Sequence, residues 1–384
     1  MAEATLAVET SELAERRPSS PWAVALRRLI RKKIALTALV LIAIFYTVGL
    51  FAPLLAPHDY RDQDLGNTLH GPTLAHPLGT DRLGRDQLTR VIWSARATTV
   101  VTIATVVSGS LVLAVGLGML AGYMGGKVDT AIMRTGEVFA SLPGLPMLIL
   151  INATMRGKVI DAVDWLESHI GTEALLHPGG PEWGVLAFLG LVALAGIGGL
   201  AAWLFAGEAR RSGAWLAPGV VAAAVVLLLA GVQGIFATPG SADYFLIFGA
   251  LSLFFWVGGA RVIRSQVLAL RQTEYVIAAR SMGGSTWRIL FSHLLPNVSP
   301  IIIVGVSASL GAIAGSEIAL TFLGVGIHEP TPSFGALITD AAPQPVLRTH
   351  PYLLLAPATI VAMLIFAFNL LGDALNDVLT PRAR

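Results

Sequence analysis

Long apolar runs constrain this chain more than any other feature of its sequence. Eight stretches of 17 to 23 residues are almost free of charged side chains. A helix needs about 20 apolar residues to cross a bilayer, within a range of about 17–25, so each run is long enough. Charged residues make up only 13% of the chain, against about 25% in soluble proteins. We therefore predict an all-α, polytopic membrane protein. The predicted spans are residues 34–52, 98–120, 139–155, 184–206, 214–236, 244–260, 301–323 and 352–371.

The distribution of positive charge predicts the orientation of the chain. Five Lys and Arg residues lie between positions 27 and 33, immediately before the first apolar run. Positive charge before a first span holds that end in the cytosol. With eight spans, both termini are expected to be cytosolic. Removal of spans 184–206 and 214–236 would leave the orientation of the other six unchanged, so we interpret this pair as an insertion.

The chain is expected to consist of five consecutive parts. Besides the two extra spans, the insertion is expected to contain an amphipathic helix at residues 159–170 on the outer membrane surface. The parts are a cytosolic tail (1–33), a first span with a large outer loop (34–97), the first part of a permease-like core (98–155), the insertion (156–243) and the second part of the core (244–384).

The internal loop at residues 261–300 is far longer than a turn requires. Apolar residues at i, i+3, i+4 and i+7 predict a short helix within it; they are Tyr275, Ala278, Ala279 and Met282. Gly283 is expected to end this helix with a positive φ. Ser285 or Thr286 can cap a second amphipathic helix, which Pro296 is expected to end. Two such helices can lie on the inner membrane surface and form a docking knob for a cytosolic partner.

Five segments of the sequence carry a family resemblance. Residues 274–283 (EYVIAARSMG), followed by HLLPN at 293–297, resemble the EAA loop of ABC importer permeases. The other four segments are HPLGTDRLGRD at 76–86, EIALTFLGVG at 317–326, PTPSFG at 330–335 and FNLLGD at 368–373. In their order along the chain, the five segments resemble the C-type transmembrane subunit of the dipeptide/oligopeptide/nickel class. The resemblance covers about residues 22–155 and 242–382.

The resemblance implies a type I importer core of six transmembrane helices in the plasma (inner) membrane of a prokaryote. It implies a homologous B-type permease subunit, two ABC ATPase subunits or domains, and an extracytoplasmic solute-binding protein. The cargo would be a peptide or a related small polar solute. ATP and Mg would be bound by the ATPases, so this chain itself would have no cofactor and would not be an enzyme. The residues implied to couple to the ATPase are Glu274, Tyr275, Ile277, Ala278, Ala279, Arg280, Gly283, Leu295 and Pro296.

This chain departs from the family pattern at one coupling position. Ile277 stands where the glutamate that names the EAA motif is expected. A salt bridge from this position to the ATPase is therefore not expected.

Several polar residues outside the internal loop are further candidates. Glu317 lies within a predicted span, where a carboxylate must face the bundle or water. Its role is either a hydrogen bond between helices or contact with the translocation pathway, for which Asn369 is the other candidate. The outer-loop residues have two interpretations, a structural elbow at the membrane interface or a contact surface for the binding protein. They are Asp81, Arg82, Arg85 and Asp86.

The sequence contains no pattern typical of catalysis or metal binding. The eight histidines have no HxxxH or HExxH spacing, so no metal site is predicted, and seven of them fall in predicted outer loops. The Gly-Lys pair Gly126-Lys127 lacks the other residues of a phosphate-binding loop, and so does Gly157-Lys158. The alternative function is an ion-coupled secondary transporter. Such a protein would need inverted repeats and ionisable residues near the bilayer midplane, and neither is evident.

Overall fold

The computed structural model describes residue 29 and residues 31–170 and 241–379. Within these residues the chain forms helices and loops but no β-strand, as the sequence predicted. The helices are α1 (Lys33–Leu50), α2 (Ala52–Leu55), α3 (Gln87–Met124), α4 (Gly126–Ser141), α5 (Gly144–Ile170), α6 (Ser241–Leu270), α7 (Glu274–Ser281), α8 (Thr286–Phe322), α9 (Phe334–Ala341), α10 (Gln344–Thr349) and α11 (Tyr352–Leu379).

Five of the described helices are long and apolar enough to cross a membrane: α1, α3, α6, α8 and α11. They correspond to five of the predicted spans. Helices α3 and α8 have 38 and 37 residues, so both exceed the ~20 residues that a bilayer requires. Each contains a π-helical stretch, at Val106–Val115 in α3 and Ile289–Leu294 in α8.

The predicted continuous span at residues 139–155 is wrong. The helix stops at Ser141, Leu142 has extended backbone, and α5 begins at Gly144. Pro143 explains the break, because proline disfavours the helical conformation of the residue before it. The axes of Gly126–Ser141 and Pro146–Asp161 differ by 96°, so the pair is either a broken span or a re-entrant segment. Counted as one span, it raises the described total to six.

The predicted insertion is described only in part. Residues 159–170 are helical, but they continue α5 rather than form a separate surface helix. The predicted spans 184–206 and 214–236 lie outside the described residues. The count of eight spans and the cytosolic position of both termini stay predictions.

Helix α6 lies at the centre of the described bundle, where it packs against α3, α5 and α8. Glycines permit its close approach to α3: a Cβ on Gly118 would lie 2.8 Å from the carbonyl oxygen of Ala260, and one on Gly122 would lie 2.9 Å from that of Arg264. Small residues at this spacing are typical of helix contacts within membranes. Helix α11 packs against α8 and α1, which completes the other side of the bundle.

The two ends of the bundle differ in construction. One, called here the loop end, carries residues 56–86 and 323–351, including α9 and α10. Phe334 and Leu337 of α9 are buried there against Val91 of α3 and Ile318 of α8. The other, called here the α7 end, carries α7 and the first turns of α8, which pack on Met119 of α3.

Candidate functional site: an exposed apolar surface and a buried ionic network

Helix α7 is anchored to the bundle by two small apolar side chains. Val276 and Ala279 are buried against Ile289 and Leu294 of α8. The predicted apolar face was therefore only partly correct, because Tyr275, Ala278 and Met282 are exposed. Three-residue spacing places Val276 and Ala279 on one face, and the protein buries that face in its own core. A larger residue at Ala279 would thus disturb this chain before it reached any partner.

The turn after α7 has the geometry expected from its glycines. Gly283 has φ +80°, and the Gly284 N–H donates to the Ala279 carbonyl at 3.0 Å. A Cβ on Gly284 would lie 2.7 Å from that same carbonyl oxygen. Ser285 then caps α8 by accepting a hydrogen bond from the Arg288 N–H at 3.4 Å. The prediction of a positive φ at Gly283 is confirmed, as is the cap at Ser285.

Pro296 does not end the second helix, contrary to the prediction. Helix α8 continues through it to Phe322, with Leu295 and Pro296 half-buried at the first positions after the π-helical stretch. Proline is tolerated at the start of an α-helical segment, and the α-helical part of α8 begins again at Leu295, after the π-helical stretch. The loop therefore consists of one short helix, α7, followed by the N-terminal part of the long helix α8.

Large apolar side chains are exposed around the Gly283 turn. The set, called here the apolar knob, comprises Tyr275, Ile277, Met282, Trp287 and Phe291. Met282 is 82% exposed at the tip, and the rings of Trp287 and Phe291 stack with centroids 5.8 Å apart. Ile277, which replaces the expected glutamate, is also exposed. A group of large exposed apolar side chains marks a site of contact with protein or membrane.

Three arginines join the α6–α7 segment to the turn between α3 and α4. Arg264 makes a two-pronged ion pair with Asp129. Arg271 Nη1 donates to the Gly122 carbonyl at 3.2 Å, and the Arg280 guanidinium lies 5.8 Å from the centre of the Tyr123 ring. Two consecutive positive-φ glycines, Gly125 and Gly126, form this turn.

The loop end contains a buried ionic network built around Asp81. Its carboxylate accepts hydrogen bonds from Arg85 Nε at 2.7 Å and from Arg90 Nη1 at 2.6 Å. Both arginines also pair with the half-exposed carboxylates of Glu329 and Asp340. Burial lowers the pKa of Arg85, but the hydrogen bonds and negative charge of Glu329 and Asp81 outweigh burial and hold its pKa above the ordinary value. The network thus ties the loop before α3 to the segment that follows α8.

This geometry favours the structural-elbow interpretation of residues 81–86. Asp81, Arg85 and Asp86 are buried, so they present almost no surface to a binding protein. Asp86 instead caps α3 by accepting from the Thr89 N–H at 2.8 Å. Arg82 alone of the four is exposed, and it donates to the Asp340 carbonyl at 2.7 Å.

The two pathway candidates have different environments. Glu317 is fully buried near the end of α8, where its carboxylate accepts from Thr98 Oγ1 at 2.8 Å and from Thr321 Oγ1 at 3.3 Å. Its bond to Thr98 joins α8 to α3, which is the structural role considered from the sequence. Asn369 is exposed on α11. Its place in a pathway stays a prediction.

Comparison with known proteins gives two family matches. Residues 114–384 match the model of the binding-protein-dependent transport system inner membrane component. Residues 20–72 match that of the N-terminal TM domain of oligopeptide transport permease C.

Individual relatives are similar along nearly the whole chain. The chain is 29% identical over 370 residues to the dipeptide transport system permease protein DppC of Bacillus subtilis (strain 168), covering 96% of this chain and 88% of that protein. It is 29% identical over 367 residues to the oligopeptide transport system permease protein OppC of Haemophilus influenzae, covering 95% and 90%. It is 28% identical over 368 residues to the glutathione transport system permease protein GsiD of Pectobacterium atrosepticum, covering 95% and 92%.

These matches agree with the resemblance carried by the sequence motifs and with the apolar helices of the structure. The family consists of transporter subunits rather than enzymes. The chain belongs to the family of binding-protein-dependent transport system inner membrane components, and it is a multi-pass inner-membrane permease.

Proposed function

We propose that this chain is the C-type permease subunit of an ATP-driven ABC importer. It pairs with a homologous B-type permease, and two ABC ATPase subunits or domains bind it on the cytosolic side. An extracytoplasmic binding protein delivers the cargo, which is a peptide or a related small polar solute. The names of the relatives, which refer to dipeptide, oligopeptide and glutathione transport, support this cargo class.

The observation that carries the proposal is the apolar knob. Met282, Trp287 and Phe291 expose large apolar surfaces around the Gly283 turn, which the buried face of α7 anchors to the bundle. Such surfaces are costly in water and become favourable when a partner covers them. In this proposal the partner is the ATPase, and the α7 end is cytosolic.

The contacts of the three arginines offer a route for movement into the membrane. When the ATPases close around ATP, they displace the knob. Arg264, Arg271 and Arg280 carry this displacement to the Gly122–Asp129 turn, because they contact that turn directly. The turn joins α3 to the bent pair α4–α5, so its movement reorients helices on both sides of the central α6. The translocation pathway thereby changes from inward-facing to outward-facing.

The experiment compares two glycine variants of the full complex, purified from the native membrane through a tag on this chain. Gly283→Asp places a charged side chain with a strained backbone at the knob, whereas Gly71→Asp places the same side chain at the loop end, where a Cβ meets no atom within 4 Å. We expect Gly283→Asp to reach the membrane at normal levels but to lose the co-purifying ATPase. The control should retain it. Normal ATPase recovery with Gly283→Asp would contradict the proposal.

A further inference from the structure

Two histidines and an aspartate converge at the loop end. His58 follows α2, His76 lies in the loop before α3, and Asp86 caps α3. One ring nitrogen from each histidine and one carboxylate oxygen of Asp86 all lie within 4.8 Å of one another. Among the described residues this is the one set of three or more His, Cys, Asp or Glu side chains with such spacing. Eighteen and ten positions separate successive members, so no short motif could reveal it.

The internal distances of this cluster fit a shared cation. His76 Nδ1 lies 2.9 Å from Asp86 Oδ1. Two ligand atoms that are each about 2.1 Å from one zinc ion at the tetrahedral angle are about 3.4 Å apart, so a separation of about 0.5 Å more would let this hydrogen-bonded pair share an ion. The rings of His58 and His76 have centroids 5.0 Å apart, so His58 can approach the same point. Asp86 is buried, His76 is half-buried and His58 is exposed, which leaves access from solvent on one side.

The chemistry of the three groups selects one class of ion. Imidazole nitrogen is a ligand for zinc, copper, iron and nickel, whereas magnesium and calcium prefer sites made of oxygen. The Asp86 carboxylate supplies negative charge beside the N-terminus of α3, whose partial positive charge would otherwise oppose a cation. Three protein ligands leave a further position for water, as in open zinc sites.

We propose that His58, His76 and Asp86 form a binding site for a divalent transition-metal ion of the Zn²⁺ type. The ion fastens the segment after α2 to the loop before α3 and to the start of α3. His58 Nε2 also lies 3.2 Å from the Ala75 carbonyl, and the His58 backbone N–H donates to Thr89 Oγ1 at 3.3 Å. These two contacts hold His58 beside the other two ligands before the metal arrives.

The test uses the full chain, purified in detergent through a tag without histidine and stripped of metal with EDTA. Zn²⁺ is titrated in competition with a chromophoric chelator, with Mg²⁺ as the control ion. We expect one Zn²⁺ per chain and no measurable Mg²⁺ binding at this site. His58→Ala should weaken Zn²⁺ binding at least about tenfold, since loss of even an outer-shell partner typically costs 10–100-fold in affinity.

Two further variants separate this site from nonspecific binding and from loss of folding. His70→Ala removes another exposed loop histidine, whose ring Nδ1 lies 3.4 Å from the neighbouring Gly71 carbonyl, and it should bind Zn²⁺ like wild type. His76→Ala should weaken binding as His58→Ala does. The thermal unfolding midpoint should rise with Zn²⁺ in wild type and His70→Ala but not in His58→Ala. Absence of bound Zn²⁺ in wild type, or equal affinity in wild type and His58→Ala, would overturn the proposal.

Discussion

The two ends of the bundle differ in the kind of side chain that they bury and the kind that they expose. At the loop end, buried charged side chains are paired within the chain, as Asp81 is with Arg85 and Arg90. At the α7 end, apolar side chains such as Met282 and Trp287 are exposed. A buried charge needs its partners within the folded chain, because an unpaired buried charge is strongly destabilising. An exposed apolar surface, by contrast, can be covered later, when a second protein binds.

The contrast indicates where this chain is complete and where it needs a partner. The loop end is held by contacts between residues far apart in sequence, such as Arg85 and Glu329, 244 positions apart. The apolar knob is held from beneath by Val276 and Ala279, while its outer face is left open. Substitutions at the loop end should therefore reduce stability, whereas those on the knob should reduce association.

The largest effect on stability is expected for Asp81→Ala. This variant removes the carboxylate shared by Arg85 and Arg90 and leaves two buried guanidinium groups with fewer partners. We expect the free energy of unfolding to fall by about 3–5 kcal/mol, measured by denaturant unfolding in detergent. The control is Arg82→Ala, an exposed neighbour that should cost less than about 1 kcal/mol. Equal losses in the two variants would remove the distinction between buried and exposed charge.

On the apolar knob, Met282→Glu is expected to act on association alone. Loss of a central apolar contact of about 2 kcal/mol corresponds to roughly 30-fold weaker binding of the ATPase. Stability should change by less than about 0.5 kcal/mol, because Met282 is exposed. Leu74→Glu is the matched control, an exposed apolar residue at the loop end. If both variants bound the ATPase equally well, the apolar knob would contribute no more to ATPase binding than the loop end does.

A smaller effect is expected for Gly283→Ala. The φ of +80° is unfavourable for any residue with a Cβ, which adds about 1 kcal/mol of strain. We expect unfolding free energy to fall by that amount. Gly71→Ala, where no positive φ is required and a Cβ meets no atom within 4 Å, should leave stability unchanged or slightly higher. A neutral Gly283→Ala would show that the turn relaxes without cost.

The smallest effect is expected at the ion pair between Arg264 and Asp129, which is partly exposed. Asp129→Asn should cost about 1 kcal/mol or less. Asp377→Asn, which breaks the more exposed pair with Lys32, should cost still less. The same unfolding measurement checks both, and a loss of several kcal/mol at Asp129 would place a buried network at the α7 end as well.

Features that depend on local sequence could be predicted. Runs of apolar residues located five spans, consecutive glycines located the turn at Gly283, and Ser285 was among the expected caps. These features follow from backbone conformation and from the length of apolar surface needed to cross a bilayer. The break at Leu142 also had a local signal in Pro143, but the apolar character of residues 139–155 favoured the prediction of one continuous span.

Features that depend on contacts distant in sequence could not be predicted. Nothing in residues 274–282 indicates that Val276 rather than Tyr275 faces the core, because both positions are apolar and the deciding surface belongs to α8. Likewise Glu329 and Asp340 have no local feature that pairs them with Arg85 and Arg90. The fold brings them together only after the loop before α3 meets the segment after α8.

The most direct test of the account places a single cysteine at the tip of the apolar knob. The native chain contains no cysteine, so Met282→Cys carries one defined thiol, to which a maleimide photo-crosslinker is attached in the assembled complex. Leu74→Cys, at the loop end, serves as the matched control. The account predicts that light joins Met282→Cys to an ATPase subunit and that Leu74→Cys forms no such product. Crosslinking of the ATPase from Leu74→Cys but not from Met282→Cys would contradict the central claim that the apolar knob is the docking surface.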